Sequence, residues 1–467
     1  MQKISFILFL LLAPAVVVFS QTSNKNATQV NKLFSEQQSG KILSREILPF
    51  ATPESEGLNG KKMASAIDSI AILGIDKKAY PGCVVLIMRN GKIVFEKAYG
   101  TYSYDDPTPM TVNSIFDMAS VTKVAATTIS TMKLYDEGKL RLDKTLGTYL
   151  PWVRHSDKSD LNIRDIMLHQ AGLVPDVVFY LKTIDTATKT PLPEFYRSDS
   201  SAEFGVRVAQ HLYLRSDYWK TMDQSIVDSK LILPAKYLYS DNDFILMGDI
   251  VQAISGLRID KFVYENFYKP MGLTSIGFNP RNHFDTSLIA PTEWDTYFRH
   301  QHLHGDVHDE GAAMFGGVSG HAGLFSNAGD IGAIFQMLLN DGNFNGRQYI
   351  KPETVKLFTA YNSSISRRGI GFDKPQKDNY TTTDRRPYPS RFASPLTFGH
   401  TGYTGTAVWV DPEYNLVYVF LSNRVNPTRS NELYRYNIRG AIEDAVYEAM
   451  TPPLPEITQW LENNPKE

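Results

Sequence analysis

The stretch that decides the fold is "SVTKVAATTISTMK", which runs from Ser120 to Lys133. It contains the pattern Ser-x-x-Lys twice, first at Ser120 and Lys123 and again at Ser130 and Lys133. Because a helix turns by about 100° per residue, a serine and a lysine three positions apart lie close to one face. A lysine shielded from water can accept the serine proton and so activate a nucleophile. Two helix residues without a chemical role give the same pattern, so the pattern alone does not choose a pair.

The positions of the two pairs along the helix favour the first. Asp117 precedes Ser120 as a candidate helix cap, and the partial positive charge of a helix N-terminus favours an alkoxide. Ser130 lies about 15 Å farther along and about 80° round the same helix, where its hydroxyl can satisfy a preceding carbonyl. Lys133 precedes the helix end, where a cation favours the helix dipole. We therefore expect Ser120 and Lys123 to carry chemistry and the second pair to be structural.

Two motifs farther along the chain supply partners for Ser120. Tyr-Ser-Asp occupies residues 239–241, directly before a helical pattern, and His-Thr-Gly occupies residues 400–402, directly before a β-rich run. The glycines around the second motif permit the close backbone approach that a substrate groove at a strand edge needs. The sequence therefore predicts one site assembled from three distant segments.

These three motifs occur in the order and approximate spacing of the serine β-lactamase and penicillin-binding-protein superfamily, which the chain resembles over about residues 51–450. The resemblance is closest to the class C β-lactamase-like branch and its esterase and carboxypeptidase relatives. The stretches "IMLHQAGLVP" and "GGVSGHAGLFSNAGDIGAIFQMLL" are similar to penicillin-binding protein 4B and to the lactamase-like half of β-N-acetylglucosaminidase fusion proteins. The resemblance implies an α+β fold of the β-lactamase/transpeptidase type, an antiparallel sheet flanked by helices with an inserted helical subdomain.

The resemblance also implies a role for each motif residue. Ser120 would be the acylated nucleophile, and Lys123 and Tyr239 would share the proton transfers. The backbone N–H groups of Ser120 and Tyr403 would form an oxyanion hole, in which each donor contributes roughly 3–4 kcal/mol to transition-state stabilisation. The residues implied in substrate binding or the oxyanion hole are Asp241, His400, Thr401, Gly402 and Tyr403. The resemblance implies no cofactor and no metal.

Two motif positions depart from the family pattern. Asp241 stands where Asn is commoner, and an acid near Lys123 would favour the charged lysine and shift the base role towards Tyr239. His400 stands where Lys is usual, and a histidine is mostly neutral at pH 7 unless its pKa is raised. The usual fixed charge for a substrate carboxylate would then be missing, which makes uncharged esters or amides candidate substrates.

The order of patterns along the chain predicts one interrupted domain. A helical pattern ending at Gly74 and a hairpin around Asn90-Gly91 come first, and two β-rich runs around residues 411–413 and a helical pattern close it. The predicted divisions are a signal peptide (1–20), a polar linker or arm (21–50), a sheet subdomain (51–117 and 390–450), a helical subdomain (118–389) and a tail (451–467). Lys3 and the apolar stretch that ends at residues 18–20 predict export to a periplasm or beyond, without a stable membrane span after cleavage.

Composition and charge limit the partners. A net charge of -2, from 48 basic and 50 acidic residues, gives no footprint for nucleic acid, so we expect a small-molecule or cell-wall peptide substrate. Cys83 is the only cysteine and lies in an apolar run, which excludes an intramolecular disulfide and favours a buried strand position. The working hypothesis is an exported serine hydrolase that acylates Ser120 with D-amino-acid peptides of the cell wall or β-lactams. A carboxylesterase acting on small esters is the alternative.

A histidine-rich stretch supports one further alternative. "RHQHLHGDVHDE" contains His300, His302, His304 and His308, and strand alternation would place the first three on one face, as metal ligands can be. The spacing misses the His-x-His-x-Asp-His pattern of metallohydrolases by one residue, so we favour a polar loop near the cleft. A metallohydrolase and a non-catalytic binder of cell-wall fragments remain as alternatives from other classes.

Three other residues and one loop are interpreted as parts of the cleft or its surroundings. His169 ends a helical run, where a structural histidine is favoured over one that lines the cleft. "GHAG" at residues 320–323 is interpreted as a tight loop opposite the active site. His308 and Asp309 are candidates for lining the substrate groove.

Overall fold

The computed structural model describes residues 47–455 apart from positions 235, 380 and 383–385. The predicted signal peptide, nearly all of the predicted linker and most of the predicted tail lie outside the described residues. Among the helices within these ranges, none has the length and hydropathy needed to span a bilayer.

The secondary structure alternates short helices and strands. The helices are α1 (Gly60–Asp76), α2 (Ile129–Asp136), α3 (Leu146–Tyr149), α4 (Ile163–Met167), α5 (Trp219–Val227), α6 (Asp241–Ser255), α7 (Ile259–Val263), α8 (Glu310–Met314), α9 (Ala328–Leu339), α10 (Pro352–Thr359), α11 (Glu432–Arg435) and α12 (Ile438–Glu448). The strands are β1 (Gly82–Arg89), β2 (Lys92–Gly100), β3 (Phe116–Asp117), β4 (Tyr196–Arg197), β5 (Val206–Ala209), β6 (Leu212–Leu214), β7 (Ile276–Phe278), β8 (Trp294–Asp295), β9 (Gln301–His302), β10 (Leu324–Ser326), β11 (Asn343–Phe344), β12 (Arg347–Gln348), β13 (Phe398–Thr401), β14 (Ala407–Asp411) and β15 (Leu416–Ser422). Residues Lys123–Thr128 and Tyr264–Tyr268 are π-helical, and single 3₁₀ turns occupy Glu54–Glu56, Pro151–Val153, Phe179–Lys182, Pro280–Asn282 and Thr286–Leu288.

The main sheet joins the two ends of the domain. Its five antiparallel strands lie in the order β13-β14-β15-β1-β2, with β1 paired to β15 from Cys83 opposite Ser422 to Arg89 opposite Leu416. The predicted hairpin between β1 and β2 is confirmed, and Asn90 and Gly91 take the positive φ values of 52° and 77° that such a tight turn requires. The predicted C-terminal hairpin is confirmed as β14 and β15.

The two faces of this sheet bury separate cores because side chains alternate along each strand. Val84 and Leu86 of β1 enter the larger core, which α9 covers, while Cys83 and Val85 enter the smaller core beneath α1 and α12. Burial raises the pKa of the Cys83 thiol to about 12, so this cysteine is an inert core residue, as expected.

Helix α1 begins at Gly60 and ends later than predicted. The Asn59 side chain accepts a hydrogen bond from the Lys62 backbone N–H and caps the helix. The helix continues past Gly74 to Asp76, because Gly74 serves packing and not termination. A Cβ at Gly74 would lie 2.2 Å from the hydroxyl oxygen of Tyr80.

The segment predicted to be mainly helical also contains small sheets. In the described part of the chain these are the sheets β3-β10-β7 and β4-β6-β5 and the hairpins β8-β9 and β11-β12. Strands of two or three residues carry too short an alternation to be recognised in a sequence. The first of these sheets matters for the site, because β3 ends three residues before Ser120.

A buried glutamate on α12 gives a test of the core. Glu443 is 1% exposed, and its Oε2 has no hydrogen-bond partner among the described residues. Burial, with Asp444 and Asp411 nearby, raises the pKa of the Glu443 carboxyl well above its usual range. The protonated Glu443 therefore favours the folded state. This contribution to the free energy of unfolding is present below the unfolded-state pKa of the carboxyl and is lost as the pH rises through its folded-state pKa.

We expect Glu443→Gln to flatten the fall of the melting temperature as the pH rises above about 5, since one proton accounts for up to ~1.4 kcal/mol per pH unit. Thermal melts across this range measure the effect. Glu353→Gln, at an exposed position on α10, is the control and should leave the profile unchanged. A profile of Glu443→Gln that matches the wild type would contradict the assignment of a protonated Glu443.

Candidate active site

The chain makes a strained turn immediately before Ser120. Ala119 has a φ of 44°, which is costly for a residue with a Cβ, and the helix begins directly after Ser120. The sequence suggests Asp117 as the cap of this helix, but its carboxylate has other partners. Its Oδ1 accepts from the Ala119 N–H at 2.8 Å and its Oδ2 accepts from the His308 N–H at 2.7 Å. The carboxylate therefore fixes the turn that presents Ser120 and ties it to a second loop.

Lys123 is the centre of the site. Its Nζ lies 2.9 Å from the Ser120 Oγ, 2.6 Å from the Asp241 Oδ1 and 3.1 Å from the His321 carbonyl oxygen. Its side chain is fully shielded from solvent, whereas that of Asp241 is 28% exposed. The three ammonium donors thus have three partners, and the first two motifs meet as the sequence predicted.

The pKa values of Lys123 and Tyr239 are both raised, but for different reasons. Burial alone would lower the pKa of Lys123, but the Asp241 carboxylate and Tyr239 outweigh it and the pKa is raised. Burial raises the pKa of Tyr239, although the charge of Lys123 opposes the rise. At neutral pH the site therefore holds an ammonium and a neutral phenol. The charged Lys123 agrees with the sequence-based expectation. The expected shift of the base role to Tyr239 does not agree, because a protonated phenol cannot accept a proton.

The third motif is fastened to the backbone that precedes Ser120. The Thr404 Oγ1 donates to the Asp117 carbonyl at 2.7 Å, and the Thr406 Oγ1 donates to the Met118 carbonyl at 3.2 Å. Gly402 is required at this contact, because a Cβ there would lie 2.1 Å from the Thr406 Oγ1 and 2.5 Å from the Met118 oxygen. The loop after β13 thus adjoins the nucleophile through a close backbone approach.

The two amides assigned to the oxyanion hole have no competing partners. Within the described residues, neither the Ser120 N–H nor the Tyr403 N–H donates a hydrogen bond. The neighbouring Gly402 N–H, by contrast, donates to the Thr406 carbonyl at 2.8 Å. Both amides are therefore free for a substrate oxygen, and their role remains a prediction.

A positive charge that the sequence did not reveal lies behind His400. Burial, and then the nearby Arg368, lower the pKa of His400 to about 3, so this histidine is neutral. The Arg368 Nη1 and Nη2 lie 3.5 and 3.4 Å from the His400 Nε2. Asp373 pairs bidentately with Arg367 at 2.8 and 2.9 Å and lies 3.6 Å from Arg368. Two arginines and one carboxylate leave a net positive charge at this end of the site.

The "GHAG" loop lies against the nucleophile's helix and contacts Lys123 directly, so the expectation of a loop opposite the site needs correction. In addition to the bond from Lys123 to the His321 oxygen, the Thr127 Oγ1 donates to the Gly320 oxygen at 2.6 Å. The His321 Nε2 is 2.8 Å from the Asp309 Oδ1, which places the Asp309 side chain beside this loop. A Cβ at Gly320 would lie 2.0 Å from the Phe244 oxygen, which explains the close packing.

The second Ser-x-x-Lys pair is structural, as predicted. The Ser130 Oγ donates to the Ala126 carbonyl oxygen at 2.7 Å and is fully buried. The Lys133 Nζ forms an ion pair with the Glu137 carboxylate at 3.0 Å. Neither group has the environment of a nucleophile or a base.

The histidine-rich stretch does not form a common face. Strand β9 spans only Gln301–His302, so it is too short to place three histidines on one face, as the metal-site alternative requires. Each ring has its own partner: the carbonyl oxygens of Lys189 for His300 and Ile289 for His304, the Asn426 amide for His302, and the Glu293 carboxylate for His308. Across the described ranges, no group of three or more His, Cys, Asp or Glu residues is arranged to hold a metal ion. His308 does approach the site, with its ring 5.7 Å from that of Tyr403.

A serine hydrogen-bonded to a buried lysine on one helical segment, near an edge strand, is the arrangement of a serine hydrolase. Residues 67–442 match the Beta-lactamase family, so the chain belongs to the serine β-lactamase and penicillin-binding-protein superfamily. An Escherichia coli (strain K12) protein named "Putative D-alanyl-D-alanine carboxypeptidase" is 33% identical over 403 residues, covering 81% of this chain and 86% of that protein.

Solved structures share the fold. A penicillin-binding protein homologue from Caulobacter crescentus matches with a TM-score of 0.59 at 18% identity, over 83% of this chain and 98% of that one. EstCE1, a hydrolase with promiscuous acyltransferase activity, matches with a TM-score of 0.59 at 18% identity, over 82% and 99%. The predicted β-lactamase/transpeptidase-like α+β fold is thereby confirmed.

Proposed function

We propose that this protein is an exported D-amino-acid carboxypeptidase that forms an acyl-enzyme at Ser120. The observation that carries the proposal is the buried Arg368 behind His400. Its charge attracts the free carboxylate of a C-terminal D-amino acid, and in a low-dielectric site this attraction is stronger than in water. The charge favours carboxylate-bearing substrates, peptides and β-lactams alike, over the uncharged esters that a neutral His400 suggested. The name of the Escherichia coli relative supports the same substrate class.

The first chemical step is attack by the Ser120 Oγ on the carbonyl carbon of the penultimate residue. Lys123 first passes one proton to the Asp241 Oδ1, 2.6 Å away, and the neutral amine that results then accepts the serine proton. This relay lets a lysine that is charged in the resting site act as a base, because the carboxylate holds the surplus proton. The amide N–H groups of Ser120 and Tyr403 bind the oxyanion that forms.

The second step breaks the C–N bond and needs an acid. Tyr239 retains its proton because burial raises its pKa, although the nearby Lys123 and Ser120 oppose the rise. We assign to Tyr239 the protonation of the departing amine, after which the proton stored on Asp241 returns to it through Lys123. Water then hydrolyses the ester at Ser120 by the reverse proton path.

The cell-wall substrate lies outside the cytoplasm, which agrees with the N-terminal pattern of Lys3 and an apolar stretch. Release of D-Ala from a peptide ending in D-Ala-D-Ala, measured by mass spectrometry, tests the proposed activity. We expect release from this peptide and none from the diastereomer that ends in L-Ala-L-Ala. Hydrolysis of nitrophenyl esters without release from the D-peptide would contradict the proposal and favour the carboxylesterase alternative.

Asp241→Asn tests the proton relay. Without the carboxylate, no group accepts the proton that Lys123 must release, and general acid–base catalysis typically contributes 10²- to 10⁴-fold. We expect kcat/KM at neutral pH to fall at least about tenfold, with the protein folded as judged by its melting temperature. Activity equal to or above that of the wild type would show that Lys123 acts as a base without Asp241 and would contradict the relay.

A further inference from the structure

His169 contacts Tyr239 and the backbone on both sides of it. It follows α4, and its carbonyl oxygen accepts from the Leu238 N–H at 2.9 Å. Its Nδ1 lies 3.2 Å from the Ser240 N–H, and its ring stacks against the Tyr239 ring with centroids 4.5 Å apart and planes 41° apart. One residue therefore binds the two amides that flank the tyrosine and also covers its ring.

The conformation of His169 is specific to this arrangement. Its φ of 55° lies in the left-handed region, which is costly for a residue with a Cβ. Buried at 1% exposure, it lies between the Tyr239 ring and the Phe244 ring, whose centroid is 5.3 Å away. A strained histidine held by several contacts next to a proposed catalytic group indicates a role beyond ending a helix.

An amide and a carboxyl group share the Nδ1 of His169. The Ser240 N–H donates to this nitrogen, and the Asp243 Oδ2 lies 2.7 Å from it. Burial lowers the pKa of His169 and raises that of Asp243, so the ring is neutral and the carboxyl keeps its proton. Lys123 and Arg368 supply the positive charges around Tyr239, at 5.0 and 6.0 Å from its ring centre.

We propose that His169, held by Asp243, is a positioning residue that holds the Tyr239 hydroxyl where it can protonate the departing group. The proposal rests on the role of Tyr239 given under the proposed function. In the part of the chain that the structure describes, no hydrogen bond joins His169 to Ser120, so any effect of His169 on catalysis passes through Tyr239. The loss on substitution should then depend on how much the leaving group needs a proton.

Two variants separate the contacts of His169. His169→Asn keeps an acceptor near the position of Nδ1 and removes the ring, while His169→Phe keeps a ring and removes the acceptor. The readout is the ratio of kcat/KM for an amide to that for a nitrophenyl ester of the same acyl group, per active site labelled by a fluorophosphonate. Amine departure needs a proton and nitrophenolate departure does not, so we expect this ratio to fall at least about tenfold in both variants.

Three further variants sharpen the test. Tyr239→Phe should lower the same ratio, and His169→Asn combined with Tyr239→Phe should lower it no further. Asp243→Asn keeps an uncharged donor to Nδ1 and should leave the ratio close to that of the wild type. His211→Asn is the matched control, since His211 is exposed and also has a positive φ, of 54°.

An unchanged amide-to-ester ratio in the His169 variants, or additive losses in the double variant, would overturn the proposal. Because the ratio is taken per labelled site, a partly misfolded preparation does not change it. Asp243→Leu removes the carboxyl group that contacts the His169 Nδ1 and so tests the same contact from its other side. If the wild type takes up no fluorophosphonate label at Ser120, the proposed function itself fails. Labelling with an unchanged ratio removes only the role of His169.

Discussion

Replacing Ser120 by alanine is expected to lower kcat for D-Ala release by at least about 10³-fold, because the group that forms the acyl-enzyme is removed. The remaining lysine, tyrosine and amide donors can still bind substrate, so KM should change far less. The measurement is steady-state release of D-Ala by wild type and variant at equal concentrations of folded protein.

Ser130→Ala is the matched control, since it alters the other serine of the duplicated pattern. The Ser130 Oγ only bonds to a carbonyl of its own helix, at 2.7 Å. We expect the variant to retain most of the activity and to lose about 1 kcal/mol of stability at most. Comparable losses of activity in both serine variants would contradict the assignment of Ser120 as the sole nucleophile.

Arg368→Gln is expected to remove the preference for a free C-terminal carboxylate. Breaking a buried charge interaction costs about 2–5 kcal/mol, so kcat/KM for a peptide ending in D-Ala-D-Ala should fall roughly 30-fold or more. The same peptide with a C-terminal amide lacks the charge and should lose far less. The measurement is the ratio of kcat/KM for the free acid to that for the amide, in wild type and variant.

Arg367→Gln provides the control for this experiment. Arg367 shares Asp373 with Arg368, but its guanidinium stacks on the Tyr388 ring at 4.4 Å and makes no recorded bond to His400. We expect the substrate ratio of this variant to stay near that of the wild type. Equal losses for the free acid and the amide in Arg368→Gln would show that the arginine is structural and would weaken the carboxypeptidase proposal.

The parts of the site that the sequence predicted are those with local signals. The Ser120–Lys123 spacing is a property of one helical segment, and the Asn90-Gly91 turn is a property of two adjacent residues. The separation of the two Ser-x-x-Lys pairs also followed from position on the helix alone. Each of these inferences needed no knowledge of how distant segments pack.

The parts that were missed depend on distant packing. Arg368 stands beside Arg367 in "SRRG", and nothing in these letters shows that one guanidinium reaches His400 while its neighbour binds Asp373. The contact of His169 with Tyr239 joins residues that are 70 positions apart in the printed sequence. The sequence of the "GHAG" loop likewise does not show that the His321 carbonyl faces Lys123.

The proposed mechanism gives a neighbouring partner to each of the two motif positions that depart from the family pattern. Asp241 does keep Lys123 charged, but at 2.6 Å it is also positioned to take the proton that Lys123 must pass on. His400 is neutral, and Arg368 supplies the positive charge that a lysine of the third motif usually brings. Both departures are thus matched by a neighbouring group in the proposed mechanism.

The most direct test of covalent catalysis at Ser120 is intact-mass analysis after incubation with a penicillin or a fluorophosphonate, followed by peptide mapping. We predict one adduct per molecule, located on the peptide that contains Ser120, and no adduct on Ser120→Ala. The absence of an adduct on the wild type, or an equal adduct on Ser120→Ala, would contradict the account.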